Sequence, residues 1–538
     1  MRLPLLFQGL IFCAVALAQD STVFPTPAYF RQHFSTPNTR IELQPPARLG
    51  EFLAGDKLEL SLRSYLELVM ANNTDIAIQR MSIEIERNAI TRAYSKFDPS
   101  LFASFNATRQ NSPSSDLLAG AETVSQLSQP ASFNYQQVLA TGTQYNIGFS
   151  ANKFSTNSTF ATFNPSLTSR LSFGLVQPLL RGRGMYITRL PILIARSRLR
   201  SGEFEVRDQL TRLLTLAENV YWDVVEAREN VRVQEQSLAL RGQALKIAER
   251  ELELGALSEL DIYQPRADYA SAEIQLSQAR YLLAQAEDAL RRQIGADLDP
   301  QLRNVPIVLS ETVLPPDEQL KLERDELVRK ALSGRPDLQA AIENIQTDEL
   351  NIKGTTDSLR PDLSLTAGYN SAGRGGNFLV ENAPMIPGGI GDALNQTFRF
   401  EFPTYAVGVT LRLPIRDRAA NANLADALVE KRLDTLRQRG LEQIIRLEVL
   451  NAVSQVESSR DAVKLAAVAR DLAQKNLEAE QKKYELGTTV LFFVLDAQTR
   501  LTTAQSRLLS ESISFRRNQL NLLRSTGELL DQRGVKVQ

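Results

Sequence analysis

In 538 residues the chain has one cysteine, Cys13, and one histidine, His33. Both precede Leu58, so the body of the protein has neither. A Cys/His zinc site, a Ser-His-Asp triad and a Cys-His dyad are therefore excluded from that body, and so is any disulfide. A carboxylate-only hydrolase needs two acids flanking a cleft, and no segment pairs acids in that way. The side chains worth following cluster instead behind two glycines. Glu253-Leu254-Gly255 is followed by Ser258-x-x-Asp261, and Tyr484-Glu485-Leu486-Gly487 is followed by Phe493 and Asp496. A glycine at the end of a long helix supplies the positive φ of a helix cap, and Ser258-x-x-Asp261 reads as a capping-box variant. The chemistry on offer is that of tight turns and contacts, with no cofactor, no metal and no catalysis expected.

The elements that carry these turns occur twice. Asp75 and Asp337 lie 262 positions apart in the similar segments Asn-Asn-Thr-Asp-Ile and Gly-Arg-Pro-Asp-Leu, and so do Pro99 and Pro361. Pro178 and Pro414 are 236 apart; Gly255 and Gly487, like Gly295 and Gly527, are 232 apart. Ordered matches with piecewise constant offsets mark an internal repeat. The drop of 26 places an insertion in the first copy. The later drop of 4 is about one helical turn, which a helix absorbs without rotating its apolar face. Each copy reads as helix, strands, very long helix, tight turn, helix. The opening helices are expected at about Glu59–Ser95 and Glu326–Leu359, each ending near a proline that leads into a strand.

The strands alternate. Tyr145, Ile147, Phe149 and Ala151 alternate with polar or small residues, as do Leu363, Leu365, Ala367 and Tyr369, and Tyr405, Val407, Val409, Leu411 and Leu413. Period two gives one apolar face. That face meets another sheet in a sandwich and lipid in a membrane barrel, and periodicity alone fits both. From about Leu190 to Leu254 only Pro191, Gly202 and Gly242 interrupt a helical pattern, which spans about 95 Å. Leu210, Leu213, Ala217, Val220, Val224, Ala227 and Val231 step by threes and fours, a coiled-coil-like seam. Ile445, Val449, Ala452, Val456, Val463, Ala466, Ala473 and Leu477 follow a related pattern in the second copy.

Leu3 to Leu17 is mostly apolar and Ala16-Leu17-Ala18 fits a cleavage site, so residues 1–18 read as a secretory signal. No later apolar run is long enough for a transmembrane helix, so any membrane entry is by strands. The 61 basic and 62 acidic residues are nearly balanced, which gives no electrostatic case for nucleic acid.

Taken in order, these features resemble the outer membrane efflux protein family of TolC-like channels. The duplicated plan, Gln-Pro-Leu-Leu-Arg-Gly-Arg-Gly at 177–184 and the tips at 253–261 and 484–496 carry the resemblance, which covers nearly all of the chain after about residue 58. It implies a mainly α protein with membrane β: a homotrimeric α-helical periplasmic barrel continuous with an outer-membrane β-barrel. The implied role is a passive export duct in a tripartite efflux or type I secretion system. The implied partners are a periplasmic adaptor, an inner-membrane pump of RND or ABC type and outer-membrane lipid. Two strands per copy give four per chain and twelve per trimer, the expected count. If the insertion's hairpin, with its turn at Ala140-Thr141-Gly142, joins the barrel, the counts become six and eighteen. The other reading is a soluble periplasmic coiled-coil structural or adaptor protein.

The resemblance also implies roles for residues. Leu254, Gly255, Ala256, Leu257, Leu486, Gly487, Thr488 and Thr489 would meet the adaptor. Tyr484 matches a gate tyrosine and Asp261 a gate aspartate, and a hydrogen bond between them on neighbouring hairpins would hold the entrance shut. The basic gate partner falls on Thr489. The first of two constriction aspartates falls on Phe493 and the second on Asp496, leaving one carboxylate ring and an apolar neighbour. The expected organisation is signal 1–18, extended segment 19–57, repeat 1 at 58–298 with strands at about 98–180, connector 299–325, repeat 2 at 326–527 with strands at about 361–415, and tail 528–538.

Overall fold

The computed structural model describes residues 26, 46–114, 120–159, 161–313, 323–379 and 384–535. The expected signal segment, most of 19–57, part of the connector and the last three residues lie outside the described residues.

The first described elements are a 3-10 turn, Leu49–Phe52, and two short strands, β1 (Leu53–Ala54) and β2 (Lys57–Leu60). The opening helix of repeat 1 is two helices, α1 (Leu62–Asn72) and α2 (Thr74–Tyr94). They meet at Asn73, which caps α2 by accepting from the Asp75 and Ile76 amides at 2.9 and 3.2 Å. Strands β3 (Ser100–Phe105), β4 (Thr108–Pro113), β5 (Thr123–Val138), β6 (Gln144–Thr156) and β7 (Phe163–Pro178) follow. Next come the 64-residue α3 (Leu190–Glu253) and its return helix α4 (Tyr263–Gln293). The connector contributes β8 (Ile307–Leu309), which pairs parallel to β2 and ties the connector to the first repeat.

Repeat 2 opens with α5 (Arg324–Gly334) and α6 (Pro336–Ser358). They break at Arg335, 262 positions after Asn73, so the duplication extends to the helix break. Arg335 grips Asp337 at 2.6 Å and also pairs with Glu448. Then come β9 (Asp362–Phe378), a short helix α7 (Ile390–Phe398), β10 (Phe402–Arg412), the 68-residue α8 (Arg418–Glu485) and α9 (Leu491–Thr526). The sequence reading treats 361–415 as strands only; α7 interrupts it.

Most of the positions that the spacing predicts as seams are buried, while Leu213, Val220, Ala227, Val231, Val463 and Ala473 are half-buried. Leu210, Ala217 and Val224 in α3 join Tyr65, Leu68, Val69, Leu290 and Ile513 in one core, and Ile445, Val449, Ala452 and Val456 in α8 pack with Val328, Ala331 and Phe515 in another. Burial of such side chains contributes about 1.5–3 kcal/mol each. The connector and the C-terminus are held by polar pins. Tyr221 donates its hydroxyl to Glu311, and Arg533 forks onto Glu218 at 2.6 and 3.0 Å.

All the longer strands form one antiparallel sheet, ordered β10-β9-β7-β6-β5-β3, with β4 also on β5. Strands β3 and β4 pair with β5 in unbroken register, from Ser100 opposite Gln136 to Pro113 opposite Thr123, and so make one strand line. The chain therefore has six strand lines, not the expected four. The insertion hairpin β5–β6 lies between β3/β4 and β7, fully hydrogen-bonded on both sides. It is in the sheet because its alternation matches its neighbours': a strand with one apolar face pairs in the register that keeps that face continuous.

The register sorts the sheet into two faces. One row crosses all six lines as Leu101, Tyr135, Ile147, Phe173, Tyr369 and Tyr405. The adjacent row on the opposite face reads Phe102, Asn134, Gly148, Ser172, Asn370 and Thr404. The apolar face is largely bare: Tyr405 is 78% and Val407 79% exposed. The outer edges of β3 and β10 have no partner among the described strands.

Candidate functional site

The two long hairpins turn at glycines with φ of 73° at Gly255 and 70° at Gly487. Each turn closes with the same pair of bonds. Gly255 donates to Leu252 at 3.0 Å and Ala256 to Glu251 at 2.8 Å; Gly487 donates to Tyr484 and Thr488 to Lys483, both at 2.9 Å. This is a Schellman cap, and the glycines serve as the sequence predicts. Below the caps, Ala244, Ala248, Ile262, Leu477, Leu491, Val494 and Leu495 form a core that ties the two hairpins together. Beyond it Leu254 and Leu486 project at 76% and 78% exposure. Gly255, Ala256, Gly487 and Thr488 are exposed as well, with Leu257 and Thr489 half-buried.

The predicted Tyr484–Asp261 bond is absent within the chain. Tyr484 donates its hydroxyl to the Glu251 carboxylate, 2.6 Å from both oxygens. Glu251 sits one turn before Gly255 on α3, and near the tips α3 and α8 both pack against α9. Asp261 lies past the turn, exposed, with its amide bonded to the Ser258 carbonyl at 3.0 Å. Ser258-x-x-Asp261 is likewise not a capping box: the Ser258 hydroxyl accepts from Leu260, and α4 starts only at Tyr263. Burial, with the Glu251 carboxylate next, pushes the Tyr484 phenol above its ordinary pKa, so it remains a donor at every physiological pH. No spacing rule points from Tyr484 to a carboxylate 233 positions earlier; only the packing of the two hairpins in one core makes the contact.

Asp496 and Phe493 lie on the first turns of α9. Phe493 is half exposed and meets Phe492 edge-on, ring centres 5.6 Å apart. Asp496 is paired one helical turn on with Arg500, at 2.8 Å. The carboxylate expected to act alone therefore carries its own counter-charge.

Tips of this kind, on hairpins rooted in a two-faced sheet, can be compared with known proteins. Residues 327–528 match the family model described as outer membrane efflux protein. Most of repeat 2 is thus similar to that family. The chain is 23% identical over 330 residues to the probable efflux pump outer membrane protein TtgC of Pseudomonas putida, a match covering 61% of this chain and 63% of that one. The aligned part thus spans somewhat under two thirds of that relative's length. Among solved structures, CusC superposes with a TM-score of 0.63 at 16% identity, covering 90% of this chain and 98% of CusC. The Campylobacter jejuni CmeC outer membrane channel gives 0.63 at 16% identity, with 87% and 86% covered. The fold shared with CusC and CmeC thus extends through both repeats, although the family model matches only the second.

Proposed function

We propose that this chain is one subunit of a trimeric outer-membrane duct. It is not an enzyme; it passes substrates outward from an inner-membrane pump through a periplasmic adaptor. The carrying observation is the sheet: one face apolar and bare, the other polar, and both edges unpaired. Exposed apolar patches of this size mark membrane or partner surfaces, and open edges are not tolerated in lipid. Joining β10 of one copy to β3 of the next removes every edge. With six strand lines per chain, three copies close an eighteen-stranded barrel, a size that leaves an aqueous channel. The alternative of a soluble coiled-coil protein leaves the apolar face facing water.

The helices would then extend about 100 Å into the periplasm, ending at the tips. There Leu254, Gly255, Ala256 and Leu257, with Leu486, Gly487, Thr488 and Thr489, form the adaptor face. The gate in this reading is Tyr484 with Glu251, flanked by Phe493 and the Asp496–Arg500 pair. TtgC is described as an efflux pump outer membrane protein, which supports the same role here. The test is fractionation followed by planar-bilayer recording. A protein that stays in the membrane pellet after alkaline carbonate and gives single-channel steps supports the duct; one that washes off is the soluble alternative.

A further inference from the structure

Helix α7 lies on the sheet's apolar face, at the end remote from the helical body. Two glycines of β9 make room for it. A Cβ on Gly373 would come within 2.0 Å of the Ala393 carbonyl, and one on Gly375 within 2.1 Å of the Gly389 carbonyl. Two hydroxyl bonds fix the helix: Ser169 with Thr397 at 2.6 Å, and Ser371 donating to the Thr397 carbonyl at 2.7 Å. Ala393 and Thr397 are fully buried beneath it. At its C-terminal end Phe398 stacks on Phe149 of β6, ring centres 6.1 Å apart and planes 13° from parallel. Phe400 then packs against Tyr369 at 5.8 Å. Yet Phe398 is 57% and Phe400 44% exposed.

The register identifies the face. Ser169, Ser371 and Gly373 share parity with Leu171, Phe173 and Tyr369, so α7 covers the continuation of the apolar rows. Thr168, Arg170 and Arg374 have the opposite parity and belong to the polar rows. From Leu363 to Ser371 the apolar stretch of β9 rises about 20 Å at ordinary strand pitch and tilt, close to the roughly 25 Å apolar band of a membrane barrel. Phe398 and Phe400 therefore sit at the upper border of that band. The helix continues about 13 Å beyond it, carrying Asp392 and Asn395. Aromatic rings at the border of the apolar band with polar groups above are what the lipid–water interface of a membrane barrel selects.

We propose that α7 is an external anchor: it rides on the lipid side of the barrel wall and seats Phe398 and Phe400 at the acyl–headgroup boundary of the outer leaflet. This rests on the barrel reading, and the experiment separates the two. The only tryptophan, Trp222, is buried in the helical body about 48 Å along α3 from its start, so it supplies a constant background. Phe398→Trp and Val407→Trp are each reconstituted into phosphatidylcholine vesicles carrying bromines either near the headgroup or near the acyl terminus. The Phe398→Trp emission should fall by roughly half with shallow bromines and less with deep ones, and Val407→Trp should show the opposite order. Quenching of Val407→Trp but not of Phe398→Trp would put α7 in water or in the lumen and overturn the anchor alone. Stronger quenching of Phe398→Trp by deep bromines would overturn the interfacial depth. No quenching of either would overturn the barrel and the anchor with it.

Discussion

At the scale of single residues, the tips hold two pairings that bear on the proposed gate. Tyr484 is bound to Glu251, so removing its hydroxyl should loosen the end of α8 from the end of α3 at the tips. Tyr484→Phe removes a bond to a charged acceptor worth about 1.5–3 kcal/mol, and Glu251→Gln should have a smaller effect. Both should raise single-channel conductance, whereas Asp261→Ala should leave it unchanged within one chain's contacts. A larger effect from Asp261→Ala would place a contact between subunits at that residue. The second pairing is Asp496 with Arg500. Exposed pairs are weak, about 0–1 kcal/mol, but this one cancels a charge that would otherwise line the proposed duct. Arg500→Gln should therefore shift the reversal potential in a salt gradient toward cations, and Asp496→Asn toward anions.

At the scale of elements, two packed interfaces make separate predictions. The first is α7 on β9. Gly373→Val would place side-chain atoms where the Ala393 carbonyl sits, overpacking that costs about 1–3 kcal/mol. The helix should lift, and trypsin should cut faster after Arg399 than in the natural protein. The second is α6 against α8, where Asp348 is buried near Asp434 and Glu430. Burial, then the two neighbouring acids, push the Asp348 carboxyl up to about 6, against the opposing pull of Lys431. Arg437 holds Asp434 at 2.6 Å, and Lys431 holds Glu349 at 2.9 Å. Between about pH 4 and 6 the folded chain therefore keeps a proton that the unfolded chain has lost. This group's contribution to stability falls as pH rises through that window and stays low above it. Asp348→Asn should raise the melting temperature at pH 7.5, by something on the order of 1–2 kcal/mol in stability, and have little effect at pH 4.

At the scale of the whole molecule, the decisive feature is the β5–β6 hairpin. It stands between two strand lines that run antiparallel to each other, β3/β4 and β7. Excising residues 120–159 leaves β3/β4 able to pair with β7 directly, restoring four strand lines per chain. Electron microscopy of detergent-solubilised rings should then find the barrel narrowed by about one third, since diameter grows roughly linearly with strand number. The helical body should be unchanged, because none of its cores includes a strand of this sheet. An unaltered barrel diameter would show that the hairpin lies outside the ring.

Much of this architecture was legible along the chain. The breaks at Asn73 and Arg335 keep the offset of the repeat, most positions of the seams at Leu210–Val224 and Ile445–Val456 are buried as their spacing requires, and Gly255 and Gly487 adopt the positive φ that a cap needs. These are local properties: backbone periods of 3.6 and 2 and the freedom of glycine are written into neighbouring residues. The structure alone settled which elements meet. Alternation marks β5 and β6 as strands but does not say that they join the sheet. A tyrosine near a turn does not announce Glu251 as its acceptor, and α7 is recognisable as a docked helix only once Gly373, Gly375, Ser169 and Ser371 are seen beneath it. Those contacts join residues far apart in sequence, and each depends on packing that forms only when the whole chain has folded.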